Sequence, residues 1–312
     1  MKAATYERYG PPEVLHPSEL ERPVPRDDEA LVKIIATTVT AGDVRMRGFF
    51  VPASFWLPAR LALGFTGPKR KILGMEISGI VEAVGKDVDK FKAGDEVYAE
   101  TDFGGGYAEY ICLPTTDMIS KTGIVRAMEK KPVNLTFEEA AAVPVGGITA
   151  LAFLRKANVA KGQRILIYGA SGSVGTYTVQ LARHYGAEVT GVCSTKNLEF
   201  VRSLGAKEVI DYTKEDFTEN GQTYDVIFDA VGKISQSQVK RSLADKGVFL
   251  STWKAGKIEP GSLAVLKELI EAGEVRPIID RRYSLEQIVE AHRYVEAGHK
   301  KGNVVITVGN RA

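Results

Sequence analysis

Short β-branched and apolar runs, broken by Gly, Pro and Asp, fill the first third of the chain. Residues 30–36, 77–84, 97–99 and 108–112 each predict a strand. Runs this short point to a compact barrel or sandwich rather than a helical domain. The stretch 51–63, with Phe49 and Phe50 before it, is apolar and aromatic and has two readings: ordinary core, or a flap over a pocket. From Thr136 the period changes. Thr136 with Glu139 three residues later forms a capping pattern that predicts a short helix over 137–143. A longer helix follows over 148–158. Strands at 164–168, 188–193, 208–211, 225–229 and 247–250 then alternate with helices at 174–185 and 198–204. Near-continuous apolar strands separated by helices predict a parallel, doubly wound sheet. The tail reads as helices over 262–272 and 285–296 and a last strand over 303–308.

A length of 312 residues favours two domains and a core large enough to need no disulfide or metal. The net charge of +2, with no basic block, gives no reason to expect a nucleic-acid or membrane partner. Cys112 and Cys193 lie too far apart in sequence to form a paired metal knuckle. The start of the chain lacks the apolar stretch of a signal peptide, and no apolar run approaches the roughly 20 residues of a membrane helix. The expectation is a soluble, cytoplasmic chain.

The most informative stretch is Gly169-Ala170-Ser171-Gly172-Ser173-Val174-Gly175. Its spacing is GxxGxxG, a departure from the usual dinucleotide fingerprint, but it follows a predicted strand and opens a predicted helix. Gly172 lets backbone approach a pyrophosphate, the helix N-terminus offers free N–H groups to the anion, and Gly175 permits close helix–strand packing. About twenty residues on, a NAD site usually places an acid against the ribose 2′-hydroxyl. Here the second strand ends in Cys193-Ser194-Thr195-Lys196-Asn197, and Glu199 is expected further out, on the next helix. Ser194 and Lys196 would hydrogen-bond and neutralise a 2′-phosphate that a carboxylate would repel. NADPH is the expected cofactor.

Several further stretches carry a resemblance. They are 10–15 (GPPEVL), 73–85 (LGMEISGIVEAVG), 91–97 (FKAGDEV), 105–110 (GGYAEY), 140–149, the glycine loop and 301–306 (KGNVVI). In this order, over nearly the whole chain, they resemble the medium-chain dehydrogenase/reductase superfamily, in its zinc-free quinone-oxidoreductase-like (zeta-crystallin-like) branch. The resemblance implies an α/β fold: a GroES-like β-rich catalytic domain, 1–122 and 260–312, around an inserted Rossmann NADP-binding domain, 123–259. It implies hydride transfer from NADPH to quinones or α,β-unsaturated carbonyl compounds. It also implies a cofactor site of Thr149, Gly169, Ala170, Ser171, Gly172, Ser173, Val174, Gly175, Ser194, Lys196, Tyr212, Ala230, Val231, Gly302 and Asn303.

Zinc-dependent relatives share the fold, so the metal must be judged from residues. Positions matching their catalytic ligands are Thr40, Met75 and roughly Val145, none a competent zinc ligand. No four-cysteine lobe is present, and His16, His184, His292 and His299 show no ligand spacing and are read as surface residues. No metal is expected. Without one, Thr40 is the expected side-chain donor to the substrate oxygen, with Asp43 organising its loop. For Glu76 one open reading is a structural partner for a basic residue such as Arg47. After Leu250 the family usually has a sixth, edge strand used in dimerisation; it looks missing or very short over 252–257, so a homodimer is possible but its usual interface is in doubt. Two other functions stay open: a non-catalytic NADPH-binding regulatory protein, and an enoyl-thioester reductase.

Overall fold

The structure, a computed structural model, describes residues 1–51, 56–119, 125–252 and 258–309. It divides into two compact units, residues 1–144 with 279–312 and residues 145–278.

The first unit opens with β1 (Lys2–Thr5) and β2 (His16–Glu19), an antiparallel pair. Then come β3 (Glu29–Thr38), α1 (Ala41–Gly48), α2 (Trp56–Leu63), β4 (Glu76–Val84), β5 (Glu96–Glu100), β6 (Tyr110–Pro114), β7 (Met118–Ile119), β8 (Val125–Lys130) and α3 (Phe137–Ala141). Buried Val32, Ile34, Ile77, Val81, Val97 and Met128 form a core that explains why these alternating runs fold as sheet. The Thr136 side chain accepts from Glu139 N–H while the Glu139 side chain caps the Thr136 N–H, as the capping pattern predicts.

The second unit takes up α4 (Pro144–Lys156) from Val145 on, then β9 (Arg164–Tyr168), α5 (Ser173–His184), β10 (Glu188–Cys193), α6 (Leu198–Ser203) and β11 (Glu208–Asp211). It continues through β12 (Tyr224–Asp229), α7 (Gln236–Ser242), β13 (Leu243–Ser251) and α8 (Ser262–Glu271). Its five strands are all parallel, in the order β11-β10-β9-β12-β13. Connections therefore run one way from β9 and the other way from β12. A crevice at the carboxyl ends of those two neighbours is where such a sheet binds its ligand. The proposed loss of a sixth strand falls largely on 253–257, outside the described residues.

The chain then returns to the first unit with β14 (Ile279–Ser284), α9 (Ile288–Glu296) and β15 (Asn303–Thr307). β15 pairs antiparallel with β3 and parallel with β14, giving an eight-stranded sheet ordered β14-β15-β3-β4-β5-β8-β7, with β6 also on β3. The α/β class and the GroES-like plus Rossmann organisation thus stand. The domain limits move: 144/145 and 278/279 replace 122/123 and 259/260. β8 lies inside the first sheet between β5 and β7, and α8 belongs to the second unit.

The stretch beside Phe49 is not core. α2 buries none of its residues, and Trp56, Leu57 and Leu61 are exposed; Phe55 lies outside the described residues. Among the described residues no helix is long and apolar enough to cross a membrane.

Candidate active site

At the end of β9 the backbone turns at Gly169 with φ +83°, where a Cβ would strike Val231 Cγ2 at 2.4 Å. Ala170 is fully buried, and Gly172 N-caps α5 without any side-chain hydrogen bond. The first-turn amides of α5 thus receive nothing from a capping side chain, which is the condition for holding an anion. At Gly175 a Cβ would sit 2.2 Å from the Gly169 carbonyl oxygen, so only glycine lets α5 start this close to the loop. Gly146 on α4 meets Ser173 and Tyr177 in the same way, at 2.7 and 2.9 Å from a hypothetical Cβ. Thr149, half-buried one turn further along α4, lies on that face.

The tip of β10 is tied to this loop by Asn197. Its Nδ2 donates to Ser171 Oγ at 3.1 Å and to Ser194 Oγ at 3.3 Å, while its buried Oδ1 has no partner among the described residues. Sequence reading missed Asn197, although it is the residue that brings Ser171 and Ser194 together. Lys196 is exposed and enters no ion pair among the described residues. Glu199 is exposed and pairs with Arg202. Tyr212 follows β11 and packs on Tyr168 with ring centroids 6.1 Å apart. Ala230 and Val231 follow β12, where buried Asp229 accepts from the Val231, Gly232 and Ile234 amides at 2.7–3.0 Å. Gly302 and Asn303 belong to the other unit; Gly302 takes φ +50° and its carbonyl accepts Lys300 Nζ at 2.5 Å.

In the first unit, Thr40 and Asp43 form the N-terminal capping box of α1. Asp43 is completely buried. Its Oδ2 accepts from Thr40 N–H at 2.8 Å and Thr40 Oγ at 2.6 Å, and its Oδ1 accepts from Gly74 N–H at 2.9 Å. Burial pushes the Asp43 carboxyl up to about 6, against hydrogen bonds from Thr40, Gly74 and Tyr107 that pull it back. Asp43 thus holds Thr40 and the Gly74 amide together. Thr40 differs from expectation. Its hydroxyl hydrogen goes to Asp43, so Thr40 anchors the loop instead of offering a free donor to substrate.

Two further expectations are corrected. His292 is fully buried, not at the surface, because α9 turns Ile288, Ala291, His292 and Val295 inward at helical spacing. His16, His184 and His299 are exposed. Arg47, also fully buried, pairs not with Glu76 but with Glu296 at 2.9 Å and His292 Nδ1 at 3.2 Å. Glu76 instead accepts from the Thr38 hydroxyl and lies in the field of Lys300.

A GroES-like β sheet, together with a Rossmann sheet carrying a glycine loop at the end of β9, is the organisation of the nicotinamide-dependent dehydrogenases. Known proteins agree. The alcohol dehydrogenase GroES-like domain model matches residues 26–123, and zinc-binding dehydrogenase models match 173–267 and 252–306. The 2-methylene-furan-3-one reductase of Solanum lycopersicum is 33% identical over 98% of this chain and 79% of its own. The chloroplastic NADPH-dependent alkenal/one oxidoreductase of Arabidopsis thaliana is 32% identical over the same shares. The quinone oxidoreductase of Coxiella burnetii superposes with a TM-score of 0.81 at 26% identity, covering 99% of both chains. This chain belongs to the medium-chain dehydrogenase/reductase superfamily, in its zinc-independent quinone- and enone-oxidoreductase branch. At the positions that bind catalytic zinc elsewhere in the superfamily, Thr40 is committed to Asp43 and Met75 presents a thioether 3.4 Å from Thr40 Oγ. Among the described residues no three His, Cys, Asp or Glu side chains are grouped to hold a metal.

Proposed function

We propose that this chain is an NADPH-dependent reductase of quinones and α,β-unsaturated carbonyl compounds. The observation that carries the cofactor choice is the tip of β10, where Asn197 draws Ser194 to the glycine loop and Lys196 stands free in place of a carboxylate. NADPH, when bound, supplies the hydride, and a proton completes reduction of the acceptor. The residues fit it: Gly175 and Gly169 make a cradle that any Cβ would fill, and the start of α5 is uncapped. In this reading the amides of 171–175 bind the pyrophosphate, Ser194 and Lys196 hold the 2′-phosphate, and Tyr212, Ala230, Val231 and Thr149 line the nucleoside and nicotinamide stretches. Gly302 and Asn303 are the cofactor-binding candidates that the first unit offers. Thr40 and Asp43 shape the acceptor-side loop. We place the enzyme in the cytoplasm. We further propose that the chain forms a homodimer.

The test is NADPH oxidation against a panel of quinones, enones and acyl thioesters, with cofactor binding measured separately. Turnover with quinones or free enones supports the proposal. Turnover with acyl thioesters alone makes the chain an enoyl-thioester reductase. Tight NADPH binding without turnover on any acceptor makes it a regulatory NADPH-binding protein. Light scattering reads the oligomeric state.

A further inference from the structure

The first unit holds a buried polar chain that the cofactor does not need. Arg47 on α1, Tyr107 before β6 and His292 on α9 are each fully buried. Arg47 is fixed at one end by Gly10 carbonyl oxygen at 3.1 Å and Glu296 at 2.9 Å. Its Nη1 lies 3.2 Å from His292 Nδ1, and His292 Nε2 lies 3.1 Å from the Tyr107 hydroxyl. A guanidinium only donates, so His292 Nδ1 must accept. The ring's hydrogen is thereby assigned to Nε2, where it is donated to the Tyr107 oxygen. That leaves the Tyr107 hydrogen uncommitted to His292, and the Tyr107 hydroxyl is among the groups that pull the Asp43 carboxyl down. Both donors in the chain point the same way, from Arg47 to Tyr107. Burial keeps His292 neutral, its imidazole pushed down to about 3, which the assigned tautomer requires.

Replacing a buried ion pair by well-packed apolar groups is often neutral or stabilising, so stability is weak grounds for the chain. Its end point supplies a second reason. Asp43 holds both Thr40 and the Gly74 amide, and Gly74 takes φ +96° with a hypothetical Cβ 2.7 Å from Tyr107 Cδ1. Tyr107 thus packs its ring on Gly74, the residue whose amide Asp43 holds. We propose that Tyr107 and His292 are positioning residues of the reductase, which orient Asp43 and through it the Thr40 loop and the Gly74–Glu76 segment. This rests on the reductase reading. The groups facing Asp43 are Tyr6 after β1, Thr40 at the start of α1, Gly74 before β4, and Tyr107; Arg47, Glu76 and His292 act on Tyr107.

The test is Tyr107→Phe, which removes one oxygen atom, with His292→Leu and His292→Gln beside it. Loss of the hydroxyl that pulls the Asp43 carboxyl down should raise the acid limb of the kcat/KM profile by about 1–2 pH units in Tyr107→Phe. A tenfold or greater fall in kcat should accompany it, with NADPH Kd within twofold of wild type. His292→Leu should do the same, whereas His292→Gln, whose amide can still donate to Tyr107, should recover part of the shift. His292→Gln serves alone if Tyr107→Phe does not fold. A pH profile unchanged in Tyr107→Phe and in His292→Leu overturns the positioning role while wild-type turnover keeps the reductase reading. Equal losses in kcat, NADPH affinity and Tm, with no shift of the acid limb, also overturn it. A wild type that turns over no acceptor removes the parent reading instead.

Discussion

Lys196 stands exposed on the short turn after β10, with Ser194 two residues before it drawn toward Ser171 by Asn197. A charge-assisted contact to a 2′-phosphate is worth about 1.5–3 kcal/mol, so Lys196→Ala should weaken NADPH roughly ten- to a hundredfold. NADH, lacking that phosphate, should bind Lys196→Ala as it binds wild type, and Ser194→Asp should shift preference toward NADH. Competitive binding of both cofactors decides; an equal loss for both would make Lys196 structural. Glu100 gives a second residue-scale test. It lies opposite Glu76 across β4 and β5, is 5% exposed, and its Oε2 has no partner among the described residues. Burial, then the charges of Glu76 and Asp102, push its carboxyl from 4.5 up to about 8. Between those values the folded chain holds a proton that the unfolded chain releases, so this group's contribution to stability falls as pH rises from 4.5 to 8. Glu100→Gln removes the titration. Its Tm relative to wild type should rise steadily across that window, and a pH-independent difference would refute the assignment.

At the scale of elements, period and turn chemistry revealed those that bury a regular face. β9, β10 and β11 lie where their apolar runs predict, and α5 begins one residue before its predicted start. Elements built on polar or local signals were harder to read. β14 is Ile-Asp-Arg-Arg-Tyr-Ser, an edge strand with exposed arginines, and β8 alternates charges that hide its inner place in the sheet. The Thr40–Asp43 box was legible as a capping pattern and would have revealed α1, while the inward spacing of 288, 291, 292 and 295 would have placed His292 in the core. The network joining Arg47, His292 and Tyr107 was not legible, because 249 positions separate Arg47 from Glu296 and no periodicity records such a meeting. For α2 the pattern misleads in the other direction: eight mostly apolar residues, none buried. Substitution of exposed positions that touch no special feature changes stability by no more than about 0.5 kcal/mol. Leu57→Ser with Leu61→Ser should therefore leave the denaturation midpoint within about 1 kcal/mol of wild type. A loss of several kcal/mol would return this helix to the core.

At the scale of the whole molecule, the site residues divide unequally between the two units. Thr149, residues 169–175, Ser194, Lys196, Tyr212, Ala230 and Val231 all fall within 145–278. That unit also contains α8 and the segment after it: Leu263, Leu266, Ile270 and Val275 are buried to within 2% exposure, and Gln180 on α5 exchanges hydrogen bonds with the Arg276 backbone at 2.9 and 3.1 Å. The fragment 145–278 should therefore fold alone and bind NADPH, without reductase activity, since Thr40 and Asp43 are absent. A fragment cut at the limits the sequence suggested, 123–259, makes the opposing case. It keeps the whole parallel sheet and every glycine of the loop. It loses four buried apolar side chains worth about 1.5–3 kcal/mol each, a sum that rivals the roughly 5–15 kcal/mol of an entire domain. It also carries β8 without β5 and β7, an unpaired strand that invites aggregation. Expression of both fragments, with circular dichroism and NADPH titration, separates the two divisions. Soluble, cofactor-binding 145–278 beside aggregated 123–259 is the expected result. If 123–259 folds and binds NADPH as well as 145–278 does, α8 is dispensable to the unit.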